Sequence, residues 1–171
     1  MDIEKLIKEI IPPSDYAHRN GFNNTPLIDK LSSNERMQVE DALIYKLIFE
    51  SKEEIDTLII ETLVYLKSQK SLQVLQNLLT ESNDCIIKLI IATSIFEINE
   101  DINMIDIAIN CFKEIEKDKG PYYVYILSDA FYYLSKFKNS KANGIIKEYV
   151  NHKEYLIAYN AKQALMWATK G

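Results

Sequence analysis

With 171 residues, the chain is long enough to bury a core without staples, and 47% hydrophobic against 26% charged residues excludes wholesale disorder. The net charge is −5, Arg19 and Arg36 are the sole arginines, and the lysines are scattered singly. Nucleic-acid binding takes most of its affinity from basic residues on phosphates, so this balance argues against DNA, RNA and anionic membrane surfaces as partners.

Three of the four prolines (Pro12, Pro13 and Pro26) fall in the first 26 residues, and four glycines serve the whole chain. Long stretches without breakers predict helix rather than sheet. A first helix is expected over about 2–11, followed by an irregular stretch from Pro12 to Asn24. Thr25 as cap with Pro26 at the first helical position opens a short helix. Ser32 with Glu35, and Ser51 with Glu54, have capping-box spacing and start helices to about Phe49 and Lys67.

Further along, Ser71 opens a helix to Glu81, and Asn83 or Asp84 caps one reaching Ile98. A helix over about 101–117 carries Ile102, Ile105, Ile109 and Phe112 at spacings of three and four. Gly120-Pro121 then seeds a helix to about Phe137, Ser140 one to Val150, and Lys153 one to Ala168. Connections this short force neighbouring helices antiparallel. The expected organisation is a single domain over residues 1–171, all-α. Its first 32 residues hold a helix, the irregular loop and a short helix, and residues 33–168 form about four stacked antiparallel helical hairpins.

Ser71 and Ser140 lie 69 residues apart, and the same offset carries Ala92 onto Ala161 and Ile95-Phe96 onto Ala164-Leu165. Half of it, about 34 residues, is the length of one helical-hairpin repeat. On this spacing, and on the small residues in Ile91-Ala92-Thr93-Ser94-Ile95 and Asn160-Ala161-Lys162-Gln163-Ala164-Leu165, the chain resembles the HEAT-like α-solenoids over roughly residues 33–168. An irregular helical bundle is the alternative architecture.

Motifs for chemistry are sparse. His18 and His152 stand apart from any zinc-ligand spacing, and no phosphate loop, nucleophile elbow or dinucleotide fingerprint is present. The sequence therefore offers no catalytic, cofactor-binding or metal-ligating residues. Glu97-Glu100-Asp101 read as carboxylates complementing a helix N-terminus. Cys85 and Cys111 sit in apolar helical segments and read as small buried hydrophobes. The longest apolar stretch, Leu89 to Phe96, falls well below the roughly 20 residues that span a bilayer, and no secretory signal is visible, so a cytoplasmic protein is expected. In the N-terminal loop, Asp15, Tyr16, His18, Arg19 and Phe22 either serve a function or, through Tyr16 and Phe22, plug the end of the first hairpin.

The strongest contact signal is aromatic. From Pro121 to Phe137, one helical face reads Tyr123, Leu127 (with Ile126), Ala130, Leu134 and Phe137, a sufficient core. Beside it run Tyr122, Tyr125, Asp129, Tyr132 and Lys136. The last helix divides likewise, with Ile157, Ala161, Ala164, Leu165 and Ala168 on a close-packing face and Tyr155, Tyr159 and Lys162 on another. Tyrosine combines large contact area, few rotors and a hydroxyl that tolerates water. Tyr122, Tyr125, Asp129, Tyr132, Tyr155, Tyr159 and Lys162 are thus the candidate partner-binding residues. The other reading of these rings is that they cover seams between helices.

A small acidic HEAT-like chain is similar to the bacterial immunity proteins, and Thr25-Pro26-Leu27-Ile28-Asp29-Lys30-Leu31 adds to that likeness. The resemblance implies a protein partner, such as a basic toxin domain, held on a concave face. A scaffold or adaptor, and a non-canonical HEAT-like enzyme or small-molecule binder, are the remaining expectations.

Overall fold

The structure is a computed structural model that describes residues 2–49 and 55–169. Among the described residues it contains eleven α-helices, one short 3-10 turn and no strand. The expected all-α class is what the backbone adopts. The chain divides into two compact units, Met1–Leu75 and Gln76–Gly171.

In the first unit, α1 (Ile3–Ile10) starts where the Asp2 carboxylate accepts from the Glu4 and Lys5 amides, and it buries Ile7 and Ile10. The stretch expected to be irregular contains a further helix, α2 (Tyr16–Arg19), capped by Asp15. The sequence hides it because four residues are too few for a hydrophobic period. The next helix, α3 (Thr25–Asp29), begins one residue away from expectation: Thr25 is its first residue rather than its cap. The Ser32–Glu35 capping box forms as expected. The Ser32 amide donates to Glu35 Oε2 at 2.7 Å and the Glu35 amide to Ser32 Oγ at 3.4 Å. It opens α4 (Ser33–Phe49), whose inward stripe is Val39, Leu43 and Leu47 at spacing four. The Ser51–Glu54 box lies outside the described residues. Asp56 instead caps α5 (Thr57–Tyr65), accepting from the Leu58 amide at 3.1 Å.

Three polar ties hold this unit together. Arg19 forms a forked pair with Asp56, both N–O distances 2.6 Å, and donates twice more to the Pro12 carbonyl. Buried Asn24 donates to the Ile10 carbonyl and to Thr62 Oγ1, and the Thr62 hydroxyl in turn donates to the Leu58 carbonyl. The Tyr65 hydroxyl donates to Asp29 at 2.7 Å. Ser68 caps the 3-10 turn Gln69–Ser71, and α6 (Leu72–Glu81) follows directly after Ser71 and ends at Glu81 as expected.

The second unit is built from α7 (Cys85–Asn99), α8 (Asn103–Lys117), α9 (Tyr123–Ser135), α10 (Ser140–Lys147) and α11 (Tyr155–Thr169). Of the two capping choices for α7, Asp84 takes the role, accepting from Ile86 and Ile87. As expected, α10 opens at Ser140, with Asn139 as its cap. Leu89 through Ile95 are all buried, so α7 is enclosed around its full circumference. Thr93 and Ser94 are tolerated there because each hydroxyl donates to the carbonyl four residues back, at 2.8 Å. Chain reversal after α7 puts Glu100 in the left-handed region at φ 60°, and Lys67 and Lys138 do the same elsewhere. A chain with so few glycines ends helices with charged residues at positions where glycine is the low-strain choice.

Within this unit α9 is the hub, packing against α7, α8, α10 and α11. Small buried residues (Ala92, Ala130, Ala161 and Ala164) line the helices α7, α9 and α11 and permit close approach. The centre is aromatic: Phe112, Phe131 and Tyr149 meet at centroid distances of 5.0–5.8 Å. Burial and a hydrogen bond to Glu116 push the Tyr149 phenol well above its ordinary range. Glu97 and Glu100 do not complement a helix N-terminus. They lie at the C-terminal end of α7, where Glu97 pairs with Lys136 at 3.0 Å, and only Asp101 faces the start of α8, accepting from the Asn103 amide.

Candidate partner-binding surface

Of the expected core face of α9, Leu127, Ala130, Leu134 and Phe137 are buried, with Phe131 beside them, whereas Tyr123 stays partly exposed. What remains faces out. Tyr122 is 69%, Tyr125 65% and Tyr132 40% exposed. On α11, Ile157, Ala158, Ala161 and Ala164 are buried, leaving Tyr155 72% and Tyr159 47% exposed. Tyr155 and Tyr159 stack at 6.0 Å, and Lys162 continues their row one turn on, exposed. Every ring singled out from the sequence reaches solvent, Tyr132 the least of them.

Since α9 and α11 pack directly on one another, the two rows belong to adjoining helices of one unit. A ring contact joins them: Tyr132 meets Trp167 edge to face at 5.5 Å. Both residues lie near the C-terminal ends of their helices. Their separation of 35 residues is close to the repeat length read from the sequence. Trp167, Met166 and Leu156 on α11 are exposed although spacing alone does not single them out, and Ile126, expected in the core, is 38% exposed. Extending the tyrosine row of α9 by one repeat length would have reached Trp167.

Charge on this surface is specific. Lys136 stands over the Tyr132 ring at 4.9 Å and the Tyr133 ring at 5.6 Å while paired to Glu97. At the other end of α9, Lys119 lies 3.9 Å from the Tyr123 ring centre and hydrogen-bonds its hydroxyl. Asp129, between Tyr125 and Tyr132 on the outer row, makes no hydrogen bond or ion pair with any described residue. Surrounding protein atoms desolvate its carboxyl and raise its pKa, although solvent still reaches the side chain.

The other sequence candidates resolve into structure. Arg19 is consumed by Asp56 and Pro12, and His18 Nδ1 lies 2.8 Å from Asp15. Tyr16 is 80% exposed and does not plug a hairpin, while Phe22 is half-buried. Cys111 is buried, which pushes its thiol up to about 11, well away from a reactive thiolate. It borders a groove of about 560 Å³ whose charged lining mixes Lys88, Lys113 and Lys117 with Glu114 and Glu116. In the first unit an apolar groove of about 510 Å³ runs between α1 and α4 over Ile3, Ile7, Ala42 and Tyr45. Among the described residues, no group of three or more His, Cys, Asp or Glu could hold a metal ion, and no helix is long and apolar enough to cross a membrane.

No family model matches the chain, and the searches of curated proteins and of solved structures return no match.

Proposed function

We propose that this chain is a protein-binding module, a dedicated inhibitor of the immunity type, which seats one partner on the aromatic face of α9 and α11. One observation carries the reading: Tyr122, Tyr125, Tyr132, Tyr155, Tyr159 and Trp167 are all 40–72% exposed on two adjoining helices. Tyrosine, tryptophan and methionine are the residues enriched at interface centres, and hot spots concentrate in Tyr, Trp and Arg. An aromatic surface of this extent is costly to leave open to water unless something covers it.

The architecture we propose is a short HEAT-like solenoid. In its support, α7 packs on α9 and α9 on α11, while α8 and α10 each bridge successive members of that row. The aromatic residues then belong to the second helices of successive hairpins. A net charge of −5 suits a basic protein partner, since complementary fields speed encounter. The reading assigns the chain no catalytic step, no nucleic-acid partner and no membrane, and goes with a cytoplasmic protein.

Capture of the partner by the tagged protein, followed by titration of the isolated complex, tests this. Tyr125→Ala and Tyr159→Ala, each removing an exposed ring, are expected to weaken the complex by about 1–3 kcal/mol apiece while leaving the far-UV spectrum unchanged. Unchanged affinity in both variants would remove the aromatic face from the interface. A scaffold role is the second reading, favoured by the groove between α1 and α4, an additional apolar surface in the other unit. It would show as two partners captured together, one of them insensitive to both tyrosine variants.

A further inference from the structure

We infer that Asp129 is the recognition point for a basic side chain, an arginine guanidinium or lysine ammonium presented by the protein that docks on the aromatic face; this rests on that face being an interface. The molecule supplies its own template. At Lys136 a cation lies over the Tyr132 and Tyr133 rings with the Glu97 carboxylate 3.0 Å away. Tyrosine face and carboxylate thus hold one ammonium between them, and Lys119 over Tyr123 shows the same use of a ring at the opposite end of α9.

Asp129 repeats the first two elements without the third. Tyr125 lies four residues before it and Tyr132 three after it, so both rings neighbour the carboxylate on one helical face. Both rings are exposed, and no described basic side chain reaches the carboxylate. Lys136, the nearest lysine along the row, is already engaged by Glu97. A carboxylate flanked by aromatic rings and left without a cation in its own chain is complementary to a guanidinium, which can stack on tyrosine and fork onto the carboxylate together. The raised pKa of Asp129 accords with this: desolvation disfavours the lone anion, and a docked cation would relieve that cost.

The chain contains its own reporter. Trp167, the single tryptophan, touches Tyr132 at 5.5 Å, so its fluorescence senses a ligand seated beside Asp129. The full chain is titrated at low ionic strength with an acetylated, amidated octapeptide alternating glycine and arginine, and separately with its glycine–glutamate counterpart. The expected result is a saturable change with the arginine peptide, half-complete at about millimolar concentration, and none with the glutamate peptide. Asp129→Asn keeps the shape and removes the charge, and is expected to weaken the response about tenfold. Asp129→Glu should retain it, and the thermal midpoint of Asp129→Asn should equal or exceed that of the parent. An equal response to both peptides, no response to the arginine peptide, or an unaltered response in Asp129→Asn would overturn the inference. Tyr125→Ala separates the two readings: if it abolishes the response while Asp129→Asn does not, the aromatic face stands and the preference for a cation falls. If neither variant changes it, both fall.

Discussion

Replacing Phe131 by alanine is expected to destabilise the second unit by about 3–5 kcal/mol, whereas Tyr132→Ala, one residue along, costs about 1 kcal/mol. Phe131 is fully buried, contacts Phe112 at 5.7 Å and Tyr149 at 5.0 Å, and sits on the helix that touches every other helix of its unit from α7 to α11. Removing the ring leaves a cavity walled by aromatic rings, and rigid rings relax poorly into such a space. Tyr132 has water on one side, and its contacts to Trp167 and Lys136 lie at the surface. Thermal unfolding followed by circular dichroism compares the two. For a chain of this size the core variant should fall by about 10 °C and the surface variant by only a few degrees. Equal losses would mean that Tyr132 supports the fold, and the aromatic face would shrink to its remaining members.

The second large effect is expected at Asp56. This carboxylate does two things at once: it caps α5 through the Leu58 amide and accepts both arms of Arg19. Asp56→Ala loses the cap, worth about 1 kcal/mol, and leaves the Arg19 guanidinium facing only the Pro12 carbonyl. The combined cost is expected to be about 2–3 kcal/mol, below that of a fully buried pair because each side chain retains about a fifth of its exposure. Asp56→Asn keeps an acceptor for Leu58 and should fall between parent and Ala. Arg19→Lys should lose nearly as much as Arg19→Ala, because an ammonium cannot span the carboxylate and the carbonyl as the guanidinium does. Urea unfolding of the four variants gives the order directly, and identical stability for Asp56→Asn and Asp56→Ala would show the cap to contribute nothing.

Features confined to a few consecutive residues were readable in the sequence. The Ser32–Glu35 box, the Asp84 alternative for α7 and the inward faces of α9 and α11 each need only local spacing and burial. Cap identity is less legible than helix position: α6 and α10 start at Ser71 and Ser140 to within a residue, yet Asn24 stands where Thr25 was expected to cap α3. Such choices turn on the backbone angles the approaching chain imposes, which spacing does not encode. Glu97 was misread because its partner, Lys136, is brought in by packing of α9 on α7. Arg19 and Asp56, 37 residues apart, are hidden for the same reason.

The tyrosines of the candidate surface were legible because each helix has more aromatic residues than one buried stripe can absorb. Trp167 is marked only by its place one repeat length beyond Tyr132, and the packing of α11 beside α9 is what brings the two rings together. The open carboxylate of Asp129 is likewise a property of the assembled surface, because pairing by a neighbouring helix could have closed it.

Hydrogen exchange on the isolated complex, compared with the chain alone, tests the docking surface most directly. Side-chain docking on α9 and α11 is expected to slow exchange in Tyr123–Ser135 and Tyr155–Thr169 and to leave α1 to α5 unchanged. Protection confined to the first unit, around the groove between α1 and α4, would contradict the proposal and move the interface there.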